Sequence, residues 1–222
     1  MTLTRRRTGL LAGVLMCILA TTACGSGVKA GSAATVDDST LTESQVADIS
    51  DEINGVIADS NSDQVLPANE INLRIVALWV DEQITEHLAA ERGVTVTDSE
   101  VDTLLNKFDK NARVDITTGS AIPPSQLERA AQTLLLRQKL GMDLAPGGDN
   151  DAQAAALTAA LVDTANSLDV SVNPRFGTWD PSTWVGPDGA PAPPRVGPRA
   201  EDRLSELSAT PAASAPVAPA SP

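Results

Sequence analysis

The segment 68–92, ANEINLRIVALWVDEQITEHLAAER, constrains the fold of this chain more than any other. Leu73, Val76, Ala77, Val80, Ile84 and Leu88 recur at helical spacing and form one apolar stripe. Ile71, Ile75, Leu78 and Trp79 widen it sideways. A helix lying on a protein surface needs a narrower stripe than this, so the segment predicts a helix that packs on two partners. A polar break, Asp59 to Pro67, precedes it, and Gly93 is a suitable terminator.

Weaker helical patterns flank it. Thr42 is placed to cap a helix in which Val46, Ile49, Ile53, Val56 and Ile57 face inward. Thr97 and Glu100 make a capping box ahead of Val101, Leu104, Leu105 and Phe108. Residues 109–122 read as a polar connection. Pro123-Pro124-Ser125 opens a helix whose inward positions are Leu127, Ala130, Ala131, Leu134, Leu135 and Gln138. After Pro146-Gly147-Gly148, an Ala-rich helix over 149–168 turns Leu157, Ala160, Leu161, Thr164 and Leu168 inward. Short strands are predicted at either end, within TVDDSTLT (35–42) and VSVNPRFGTWD (170–180), and these two are expected to pair. The fold class is therefore mainly α, a helical domain over 35–180 closed by its terminal strands.

The remaining segments have other characters. Arg5, Arg6 and Arg7 precede an apolar run of 12 residues, Gly9 to Ala20, which is too short to span a bilayer and reads as a signal peptide over 1–23. LATTACGSG at 19–27 resembles a bacterial lipobox, with Thr21 standing where the pattern has an aliphatic residue. The resemblance implies lipidation of Cys24 and a tether over 24–34. Several acyl chains at about 0.8 kcal/mol per buried CH2 would hold the chain on the outer face of the cell membrane. Plain secretion without a lipid is the alternative. After 180 the composition changes: ten of the 15 prolines lie in 180–222 among Ala, Ser and Gly, so 181–222 reads as a disordered Pro/Ala-rich tail.

Charge and residue supply exclude several function classes. The formal net charge is −13 and becomes −16 without residues 1–23, so the chain cannot neutralise a phosphate backbone and no nucleic-acid partner is expected. One His and two Cys offer no zinc ligand set, and no metal is expected. No phosphate-binding glycine loop and no nucleophile elbow is present, so neither a nucleotide, another cofactor nor a catalytic residue is expected. His87 shares a helix with Glu82 and Glu86, which a solvated helix face explains. Asp37-Asp38 reads as a turn rather than a carboxylate pair for catalysis. Between 35 and 109 there are 17 acidic and three basic residues. That excess reads first as general solubility, with attraction to basic segments of a partner as the alternative.

Taken in order, VDDSTLTESQVADI, VTVTDSEVDTLL and VSVNPRFGTWD resemble the N-terminal domain of the SurA-like and PrsA-like extracytoplasmic folding factors. Val36-Asp37-Asp38 stands at that family's V-N-G, Val94 to Asp102 at its V-T-V-T-D-x-E-V-D element, and Val170 to Trp179 at its closing V-x-V-N-P-R-F-G-x-W. The resemblance covers roughly 35–180. It implies an ATP-independent holdase for unfolded, newly exported polypeptides. The family's inserted prolyl isomerase domain has no room here, because only 29 residues separate Gly141 from Asp169 inclusive. The alternative is a non-catalytic envelope adaptor with one dedicated protein partner. Trp79 and Trp184 are the candidate peptide-binding residues, with core the favoured reading of Trp79 and Trp184 left open; Phe176 and Trp179 read as core.

Overall fold

The computed structural model describes residues 29–60 and 67–182. Among these are six α-helices and a small antiparallel sheet of three strands, β1 (Ser32–Val36), β2 (Ser39–Thr42) and β3 (Val170–Val172), in the order β2-β1-β3. The expected pairing of the two ends is present: Ala34, Thr35 and Val36 oppose Val172, Ser171 and Val170. The opening segment is not one strand, however, but a hairpin, with Val36 opposite Ser39. Asp37 takes the turn with φ +48°, a region that Asp tolerates better than most residues because its short polar chain bonds locally. Its N–H donates to the Asp169 carbonyl at 3.0 Å, and its carboxylate accepts the Asp169 N–H at 2.9 Å. Asp38, standing where the resembled pattern has Gly, has no positive φ.

The hairpin begins earlier than the sequence indicates. Ser32, Ala33 and Ala34, assigned above to the tether 24–34, lie in β1 and are 0–2% exposed. Small residues give no apolar signal in a sequence, yet only small side chains let β1 lie close against the long central helix, which it contacts.

That helix, α2 (Ala68–Arg92), has the predicted bounds. Gly93 ends it at φ +66°, donating its N–H to the Ala89 and Ala90 carbonyls. Its burial exceeds the expectation of two partners: α2 touches α1 (Glu43–Asp59), α5 (Leu127–Leu144), α6 (Asn150–Ser167), β1 and the 3-10 turn Pro174–Phe176. Ile71, Val76, Val80 and Ile84 are each at most 1% exposed, and each such burial contributes about 1.5–3 kcal/mol. The Thr42–Gln45 box caps α1, and the Thr97–Glu100 box caps α3 (Asp98–Leu105), as the residue types predict.

Two expectations are corrected. Residues 109–122 are not a connection but carry α4 (Lys110–Ser120), capped by Asp109. Its buried positions are Thr117 and Thr118, not aliphatics. Their hydroxyls return to the Arg113 and Asp115 carbonyls, which lets a polar residue be buried without an unmet donor. In α5 the inward face is rotated. Leu134 and Leu135 are only half-buried and Gln138 is exposed, while Thr133, Leu136, Arg137, Leu140 and Gly141 are buried. Arg137 lies on this buried face and has its partner, Asp81, inside the protein.

Candidate functional site

The closing segment builds one wall of a cleft beside the core. Pro174 sets a 3-10 turn at Pro174–Phe176, and the Asn173 side chain caps it by accepting the Arg175 N–H at 3.1 Å. Asn173 also donates its backbone N–H to the Ala33 carbonyl (2.9 Å) and its amide to the Ser32 carbonyl (3.3 Å) and Glu43 Oε1 (3.0 Å). Glu43 is the first residue of α1, where a carboxylate suits the positive end of the helix. Its second oxygen accepts from Arg175 Nη1 at 2.6 Å. The Arg175 guanidinium stands 5.5 Å from the Phe176 ring centroid, and Phe176 is buried.

Between α1, the first turns of α2 and this turn lies a cleft of about 410 Å3, lined by Glu43, Val46, Ala47, Asn69, Asn72, Arg175 and Phe176. Val46, Ala47 and Phe176 supply the apolar surface. Asn69 and Asn72 sit three apart on α2, and both line it. The Glu43–Arg175 pair closes one end, each charge compensated by the other. Asn72 Oδ1 is buried without a hydrogen-bond partner, which costs the folded domain about 1–3 kcal/mol.

A second polar cluster lies inside the bundle. Arg137 Nη1 meets Asp81 Oδ2 at 2.5 Å, with side-chain exposures of 10% and 3%. Thr85 Oγ1 donates to the Asp81 carbonyl. Beside it Glu82 pairs with Arg129 at 2.5 Å. Burial pushes the Glu82 carboxyl above its ordinary value, and Arg129 offsets part of that shift. This cluster joins α2 to α5.

The residues singled out from sequence are dispersed. Trp79 is half-buried and packs against the core, away from the lining of the cleft. Trp179 packs likewise, and Phe176 is both core and cleft wall. His87 faces Glu91 at 3.5 Å, Glu86 accepts from Gln83, and Glu82 turns to Arg129, so the three do not converge. Cys24 and Trp184 lie outside the described residues. Among the described residues, no group of three His, Cys, Asp or Glu gathers at one point, and no helix is long and apolar enough to cross a membrane. Sequence reading missed Glu43, Asn69 and Asn72 as site residues. The one signal available was a pair of amides at i, i+3 in the first turns of α2, beside its apolar stripe.

No family model, no curated protein and no solved structure matches this chain.

Proposed function

We propose that this chain is a non-catalytic, ATP-independent holdase of the SurA and PrsA type, tethered outside the cell membrane through lipidated Cys24, that binds unfolded exported polypeptides. The order of the three sequence segments supports the family reading, and so does a mainly helical domain closed by its terminal strands. The observation that carries the function is the lining of the cleft. Val46, Ala47 and Phe176 offer contact to an apolar side chain, and the Asn69 amide with the N–H groups of Asn72 is suited to backbone groups of an extended chain. Those contacts read no particular sequence. A short cleft also gives weak, quickly released binding, as a holdase requires.

The test is light scattering from a denatured exported protein diluted into buffer with an equimolar amount of the full chain. Aggregation is expected to slow. Ala47→Trp, which fills the cleft from an exposed position of α1, is expected to abolish the effect. Ala154→Trp, on an exposed position of α6, is expected to leave it intact. Unchanged aggregation with the full chain, or equal effects of the two substitutions, overturns the reading.

A further inference from the structure

The walls of the cleft carry no uncompensated charge, but its approach does. On α1, Glu43, Ala47 and Asp51 follow one another at i, i+4, so Asp51 continues the row that lines the cleft by one further turn. Asp48 stands beside them. Asp48 and Asp51 are both exposed, and neither has a cation within ion-pair distance among the described residues. Glu43 is different, because Arg175 and Asn173 occupy both its oxygens. The bases of the domain are largely engaged. Arg74 pairs with Glu70, Arg92 with Asp143, Arg129 with Glu82, Arg137 with Asp81 and Lys139 with Glu100. Lys107, Lys110 and Arg113, on or just before α4, which packs against α1, pair with no carboxylate among the described residues. None of them is within ion-pair distance of Asp48 or Asp51, so local negative charge borders a neutral, partly apolar cleft.

We infer that the cleft takes an extended peptide segment in which a neutral apolar stretch is followed by Lys or Arg, the apolar part seated on Val46, Ala47 and Phe176 and the cation set against Asp48 and Asp51. The inference rests on the holdase reading and adds the class of segment selected. An acidic flank placed there meets like charge, so the same two carboxylates that attract a basic segment repel an acidic one. Both are exposed and contribute through a field that salt screens: the Debye length falls from about 30 Å at 0.01 M to about 3 Å at 1 M.

Three blocked, fluorescein-labelled peptides with one shared Val-Ala-Leu-rich centre test it, flanked by lysines, by glutamines or by glutamates. Fluorescence polarisation is read with the full chain at low and high salt. At low salt the lysine-flanked peptide is expected to bind roughly tenfold more tightly than the glutamine-flanked one, and the glutamate-flanked one more weakly still. Molar salt is expected to remove the differences. Asp48→Asn with Asp51→Asn is expected to bring the lysine-flanked peptide to the affinity of the glutamine-flanked one, whose own affinity stays unchanged. Ala47→Trp is expected to abolish binding of all three. Equal binding of the lysine- and glutamine-flanked peptides overturns this inference and leaves the holdase reading standing. So does a lysine preference that survives the double substitution, since attraction would then come from the net charge of the whole molecule. Self-association that Ala47→Trp abolishes overturns it too, the occupant being a second copy. Failure of every peptide to bind overturns both.

Discussion

The α2–α5 interface and the closing junction each hold one carboxylate against one guanidinium, in opposite surroundings. Asp81 and Arg137 are 3% and 10% exposed; Glu43 and Arg175 are 33% and 63% exposed. In the first place both ions have lost water, and removing either would leave the other buried without its counter-charge. In the second, solvent screens the pair and can replace either partner. One chemistry thus pins two helices at a fixed register, and elsewhere closes the end of a cleft without making it rigid. The junction is held instead by backbone pairing and by contacts other than the ion pair: the β1–β3 ladder, the Asp37–Asp169 exchange, the Asn173 bonds and the burial of Phe176.

The largest expected effect is at the buried pair. Arg137→Met leaves the Asp81 carboxylate in the core without its cation and is expected to lower unfolding free energy in urea by about 3–5 kcal/mol. Adding Asp81→Leu should recover most of that loss. A double variant as unstable as the single one would mean that the bulk of the loss comes from packing around Arg137, and the contrast between the two pairs would fail. Next is the cap beside the exposed pair. Thr42→Ala removes the side-chain acceptor for the Gln45 N–H and should cost about 1 kcal/mol by the same urea measurement.

Asn72→Leu removes the unpartnered buried acceptor. It is expected to leave thermal stability unchanged or raise it, by up to about 1 kcal/mol, while weakening client binding. Loss of both stability and binding would assign Asn72 to the scaffold rather than to the cleft. Glu43→Gln, at the exposed pair, should change stability by at most about 1 kcal/mol, and the change should shrink in high salt. A loss as large as that of Arg137→Met would erase the comparison.

The smallest effect concerns acid. Bonds from Lys139 and from Thr97 hold the Glu100 carboxyl at about 2, below its ordinary 4.5. A depressed carboxyl stabilises the fold above its unfolded value, and that contribution is lost as pH falls from about 4.5 to about 2. Glu82 has the opposite sign. Its carboxyl is raised, so ionisation opposes folding above 4.5 and acidification relieves it. Glu100→Gln should therefore flatten the loss of stability between about pH 4.5 and about 2, and Glu82→Gln should remove a gain in stability that accompanies acidification towards 4.5 from above, in urea midpoints measured on both sides of 4.5.

The central helix was legible to the residue, because its apolar pattern is long and bounded by Pro67 and Gly93. The caps at Thr42 and Thr97 were equally legible, since a cap is a contact between residues three apart. α4 was not, because its buried positions are threonines whose hydroxyls are met within their own helix. β1 was read three residues short because Ser32, Ala33 and Ala34 are small, and smallness marks a tether and a tightly packed strand alike.

Sequence alone determined what depends on near neighbours: helix class, helix ends, caps, and the presence of a strand at each end. Only the tertiary structure decided which charges are buried and which side chains form a cleft. Arg137 is inside because Asp81, 56 residues away, is inside. Glu43 and Arg175 meet across 132 residues because β1 pairs with β3. Periodicity reports whether a residue type is apolar, and it carries no information on whether a polar group will find its partner at a distance. In this domain that partner decides both the face of α5 and the position of the cleft.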